Sequence, residues 1–264
     1  SGETDSEADK GVSAAGVARQ LARLLTRHCA DASIVNAAGH PFLHVAATRG
    51  FQEAVRILCQ APDDPKLTWQ SDSFRNHGLR CDVSTVAPNG ETALLAAAAV
   101  IASNQLSLND ESDGIASIVL PGTALSDEPA ALQPRMRAVI SNLIAAIFER
   151  GEGSALLNAT AAKGNPDRWE SAENRSAHDT ALMRIVRSRD LESLVCFLAS
   201  LPGFRQPGIQ VPDEEVPQQV REILDERHRL TGQHALSIAL AQGWTAGAFL
   251  LIRAGSDKHS CDCC

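Results

Sequence analysis

The sequence contains no tyrosine, and only three tryptophans and seven phenylalanines. Alanine and leucine carry the apolar load, which suits short, closely packed helices better than a sandwich of aromatic and β-branched strands. Positive charge is also short. Lys and Arg number 24 against 32 Asp and Glu, a net charge of −8, and this argues against a nucleic-acid backbone as the main partner. No apolar run reaches the ~18 residues of a membrane span, and no signal-peptide pattern opens the chain. There is no GxSxG, no HExxH, no Walker-type loop, and no GxGxxG after a strand. The expectation is therefore a protein without catalytic residues and without a cofactor. The seven cysteines are odd in number and show no CxxC spacing before the terminal Cys261-Asp262-Cys263-Cys264, which fits reduced thiols in a cytoplasmic setting. The opening SGETDSEADK (residues 1–10) is polar and acidic and reads as disordered. The missing initiator Met fits an excised segment or a processed product.

What is present is a repeated frame. Four segments share it: 39-GHPFLHVAATRGFQEAVRILC, 90-GETALLAAAAV, 178-HDTALMRIVRSRDLESLVCFL and 232-GQHALSIALAQGWTAGAFLLIRAGSD. Each places a Leu four residues after its turn residue: Leu43, Leu94, Leu182 and Leu236. Small or aliphatic pairs follow three residues on, at Ala46-Ala47, Ala97-Ala98, Ile185-Val186 and Ala239-Leu240. Leu43, Ala46 and Ala47 fall on one face of a short helix, and the alanines let a neighbouring helix come close. Gly50 suits the left-handed end of that helix. Val55, Leu58 and Cys59 then predict a second helix antiparallel to the first. A lone pair of short helices buries too little surface, so stacked neighbours must complete the core.

On these residues the chain resembles the ankyrin repeat family, whose unit runs turn, Thr-Pro-Leu-His-x-Ala-Ala, Gly, then a helix closing on Val-x-x-Leu-Leu. Leu251-Ile252 stands in the Leu-Leu slot of the last copy, and Gly255-Ser256-Asp257 is similar to the closing Gly-Ala-Asp. Leu21, Leu24, Leu25 and Cys29-Ala30-Asp31 resemble the end of an earlier repeat. The fold this implies is all-α, an ankyrin-repeat solenoid of about four to five helix pairs over residues 11–257. The copies depart from the family pattern. No copy holds both its Thr and its His: the first has Pro41 and His44, the second Thr92 and Leu95, the third Thr180 and Met183, the fourth His234 and Ser237. His44 is therefore expected to be structural.

Turn-to-turn spacing is 51 residues from 39 to 90, 88 from 90 to 178 and 54 from 178 to 232. Against a family period of about 33, large insertions interrupt the array. They are read at about 62–88, 103–134, 152–175 and 202–230. The second parts two helices, the latter resuming at 135 with Ile140, Leu143, Ile144 and Ile147 on one stripe. The fourth contains a short helix from about Glu214 to Arg229, capped by Asp213. Insertions of this kind either enlarge a binding surface or merely pad its edge. Trp69, Phe74 and Trp169 are candidate insertion contacts, but the first reading of Trp69, Trp169 and Trp244 is as buried loop anchors. The Cys-rich tail, 258–264, offers Cys261, Cys263 and Cys264 as weak metal or acylation candidates beside the reading of a flexible thiol-bearing end.

The resemblance implies a non-enzymatic protein–protein recognition module that holds a protein partner in a groove of turns and first helices. The residues it points to are His40, Thr48 and Arg49 in the first copy and Asn89 and Glu91 in the second. Asp179, Arg187 and Ser188 follow in the third, with Thr231, Gln233 and Gln242 in the fourth. Two alternatives stand beside it: the substrate-targeting part of a larger enzyme such as a bacterial effector, acting in a host cytoplasm, and a structural subunit of a permanent complex. No membrane association is expected unless the tail is lipidated.

Overall fold

The computed structural model describes residues 35–59, 81–109, 129–151, 153–160, 178–204 and 216–256. Among them the chain is all-α, with ten helices and no strand beyond two isolated bridges, Val35 to Pro41 and Val86 to Thr92. The helices are α1 (Phe42–Thr48), α2 (Gln52–Cys59), α3 (Ala93–Asn109), α4 (Pro129–Glu149), α5 (Gly153–Leu157), α6 (Ala181–Ser188), α7 (Leu191–Ala199), α8 (Gln218–Leu224), α9 (Ala235–Ala241) and α10 (Thr245–Arg253). Four of the repeat turns thus each lead into a first helix. The segment read as an earlier repeat, the tryptophans 69 and 169, Phe74 and the tail cysteines lie outside the described residues.

One position in the frame decides where the first helix stops. Eleven residues after the turn, the first and last copies have Gly50 and Gly243, both left-handed at φ 66° and 65°. The third copy has Arg189 there, also left-handed at φ 56°, a conformation that costs an L-residue about 1 kcal/mol or more. The second copy has Ile101, and a β-branched side chain does not take that conformation. Its helix runs on instead, so α3 spans 17 residues where α1 spans 7. The stretch 103–109, expected to be insertion, is helical for this reason.

Packing sorts the helices into two rows. α1 packs on α3, α3 on α6, and α6 on α9; α2 packs on α4, α4 on α7, and α7 on α10. Within each pair, α1 meets α2, α3 meets α4, α6 meets α7 and α9 meets α10. The core lies between the rows: Leu43, Ala47, Val55 and Leu58 of the first pair, Leu94, Leu95, Ala98, Ile140, Leu143, Ile144 and Ile147 of the second, then Leu182, Val186, Leu194 and Phe197, and Leu236, Ala239 and Leu251. Over residues 93–101 the side chains of α3 are apolar on every face, because the helix is enclosed by α1, α4 and α6.

Three expectations are corrected. α4 begins at Pro129, not at 135, and carries Pro134 inside it. Proline suits the first helical position, and Pro134 follows within the early turns with its ring exposed. The helix expected over 214–229 is only Gln218–Leu224, with Pro217 at its N-cap and no side-chain cap; Asp213 lies outside the described residues. Its apolar stripe of Val220, Ile223 and Leu224 is buried as read. The third insertion also forms a helix, α5, which packs on α8 from the fourth. Ser154 Oγ donates to Glu222 Oε2 at 2.8 Å, and Asn158 Nδ2 donates to the Glu222 carbonyl at 3.3 Å. The two insertions therefore brace each other, and α5 also packs on α4.

Candidate functional site: the edge of turns

The repeat turns share a backbone design. In the first, Gly39 N–H donates to the Asn36 carbonyl and Asn36 N–H to that of His40. In the second, Gly90 N–H donates to Ala87 and Ala87 N–H to Glu91. In the fourth, Gly232 N–H donates to His228 and His228 N–H to Gln233. Side chains finish each loop. Asn36 Oδ1 accepts from the N–H groups of Ala38 and His40. His228 Nδ1 does the same for Leu230 and Thr231, at 3.3 and 3.1 Å. An imidazole nitrogen replaces an amide oxygen as the loop acceptor.

The first helices are then capped in ways the sequence pattern hid. Thr92 Oγ1 accepts from Leu95 N–H and Thr180 Oγ1 from Met183 N–H, both at 3.3 Å. In the fourth copy the imidazole and the hydroxyl have exchanged places. His234 Nδ1 accepts from Ser237 N–H at 2.9 Å while Ser237 Oγ accepts from His234 N–H at 2.9 Å. This is a reciprocal capping box built from a reversed pair.

Neighbouring turns are tied by buried polar groups. His44 Nε2 donates to the Glu91 carbonyl of the next turn at 2.8 Å. A carbonyl can only accept, so Nε2 carries a proton. Burial pushes the His44 pKa below its usual value, with the carbonyl contact opposing the shift. Glu91 itself reaches forward, where buried Arg184 of α6 donates to Oε1 at 2.6 Å and to the Leu95 carbonyl at 2.9 Å. In the third turn, Arg187 Nε donates to Asp179 Oδ2 at 2.8 Å, and His228 Nε2 of the fourth turn lies 3.7 Å from Oδ1. His178 stands edge-on to His228, with ring centroids 5.9 Å apart.

These ties decide the fate of the predicted contact residues. Asp179 and Ser188 are buried, the latter donating to the Ile185 carbonyl at 2.7 Å; their side chains serve the fold and present no outer surface. Glu91 is engaged by Arg184 and by Asn89 Nδ2 at 2.9 Å. Thr48 Oγ1 donates to the His44 carbonyl at 3.0 Å, and Gln242 Nε2 approaches the Arg187 carbonyl at 3.5 Å. Asn89 and Thr231 are exposed, and His40, Arg49, Arg187 and Gln233 are half-buried along the same edge. Trp244 is half-buried against the core, its ring lying over Gly247, which is the anchor reading of that residue. Sequence reasoning did not single out Arg184 or His228. The available signals were a lone Arg inside the apolar run ALMRIV and a His four residues before a turn Gly.

Among the described residues, no group of three His, Cys, Asp or Glu side chains could hold a metal ion, and no helix is long and apolar enough to cross a membrane. Cys59 is buried, and burial pushes its thiol up to about 12, so it sits in the core as an apolar group. No protein-family model matches the chain, and no curated protein matches it.

Proposed function

We propose that this chain is a degenerate ankyrin-type repeat array and a non-enzymatic module that recognises a protein partner along its edge of turns. The observation that carries the reading is the register of that edge. Successive turns precede helices packed in one row and are locked to one another by His44, Glu91, Arg184 and Asp179. A rigid edge holds its outward side chains in fixed relation, so little conformational entropy is lost on binding. The contact residues are the ones the fold leaves toward solvent: His40, Arg49, Asn89, Thr231 and Gln233, with Arg187 beside them. They are polar and of mixed character, which favours a specific, hydrogen-bonded interface over a greasy one.

The test is capture from lysate with the full chain and with the variant His40→Glu/Arg49→Glu/Gln233→Arg, checked for an unchanged helical circular dichroism spectrum. A protein retained by the wild type and lost by the variant supports this surface. Equal capture by both moves binding off the turn edge.

A further inference from the structure

The two rows end on a face that differs from every internal junction. Eight residues after the turn, Ala47, Ala98 and Val186 are each fully buried at 0%, because α3, α6 and α9 respectively pack over α1, α3 and α6. The same position in the last copy is Leu240, and it is 48% exposed. Twenty residues after the turn, Cys59 and Leu198 are 5% and 6% exposed beneath the next second-row helix. Their counterpart Ile252 is 43% exposed. Phe249, one turn before Ile252 on α10, is 58% exposed. The positions that receive the next helix pair thus carry large aliphatic side chains in the last described pair, α9–α10. An outer face that met only water would be polar.

We infer that this end face, Leu240, Phe249 and Ile252, is a contact between two copies of the chain, packed end to end about a twofold axis. Charge favours a second copy as the occupant. A twofold contact sets each side chain near its own copy, so like charges on the face would oppose association. Residues 235–253 contain a single charged side chain, Arg253, in a chain that is 21% charged. Its guanidinium lies over the Phe249 ring, 5.5 Å from the centroid, where the ring's negative face absorbs part of the charge. The remaining exposed side chains of α9 and α10 are small or neutral: Ala241, Thr245 and Ala246. In this contact a second α9–α10 pair, turned about the twofold axis, covers the positions that the following pair covers at the internal junctions. It involves none of the turn-edge residues and stands whether or not that edge binds a partner.

The test is sedimentation equilibrium of the full chain under reducing conditions, which removes any cysteine cross-link. The wild type is expected to show a monomer–dimer equilibrium. Leu240→Glu and Ile252→Glu, each replacing an exposed side chain, should raise its dissociation constant at least about tenfold, and Leu191→Glu, exposed elsewhere on α7, should leave it unchanged. A monomeric wild type overturns the inference. Removing residues 257–264 then tells whether the chain's own end covers the face, by producing the dimer, or another protein does, by not producing it. A dimer indifferent to both Glu substitutions, or growth into longer oligomers, also overturns it.

Discussion

Arg184, on the first-row helix of the third pair, donates to the carboxylate of Glu91 in the turn of the second pair, at 2.6 Å. Both the span and the burial matter. The pair joins residues 93 positions apart, and the guanidinium is taken out of water to make it. A buried charge left without its partner costs far more than the pair contributes when intact. Glu91→Ala is expected to destabilise the chain by about 3 kcal/mol, read as a lower denaturant midpoint. Glu91→Ala/Arg184→Leu should recover most of the loss, because no charge is then stranded. A single variant as stable as wild type would show that the tie carries nothing.

His44 predicts an acid sensitivity. Its folded pKa is held below the usual 6.5, mainly by burial. Between the two values the unfolded chain binds more protons than the folded one, so stability is full above 6.5 and falls as pH drops toward the folded value. His178 is shifted in the same direction, by burial and by its neighbours His228 and Arg229. Thermal unfolding followed from pH 7.5 down to about 5.5, across the ordinary histidine range, should show a falling Tm. His44→Gln should lower Tm at neutral pH, through loss of a buried bond worth about 1 kcal/mol, and should flatten the slope. An unchanged slope would place the acid response elsewhere.

Arg189 is the one residue other than glycine with positive φ among the described residues. Arg189→Gly gives up its bond to the Gln242 carbonyl at 2.5 Å but relieves the left-handed strain. The net effect is expected to be a gain of about 0.5 kcal/mol, since the strain of about 1 kcal/mol or more exceeds the added freedom of the unfolded glycine. Chemical denaturation measures this directly.

Gly247 tests the packing of α10. A Cβ there would sit 2.1 Å from the Trp244 ring, and the contact includes three ring atoms within 2.5 Å. Gly247→Ala must displace the indole, at a cost of about 1–3 kcal/mol for overpacking. The expected signature is a shift in tryptophan emission together with a lower Tm.

The parts of the fold legible in the sequence were those set by local chemistry. Leu43, Leu94, Leu182 and Leu236 at a fixed offset from the turn are all buried, and Gly50 and Gly243 end their helices in the left-handed conformation. What stayed hidden was set by contacts distant in sequence or by substitutions within the repeat frame itself. Ile101 reads as another apolar residue until its refusal of the left-handed slot is seen to extend α3. Pairing of α5 with α8 joins two insertions that share no pattern. Asp179 lay at a contact position by resemblance, yet the carboxylate is enclosed by Arg187 and His228. Ser188 is spent on the Ile185 carbonyl in the same way. The exchange of His234 and Ser237 kept the capping chemistry while erasing the motif that would have revealed it.

Site-directed photocross-linking tests the turn edge as the recognition surface most directly. A photoreactive amino acid at Arg49 or Gln233, on the edge, is compared with one at Ala145, exposed on second-row α4. The prediction is a discrete cross-linked partner from positions 49 and 233 and none from 145. Cross-links arising from 145 alone would contradict it and place recognition on the opposite row.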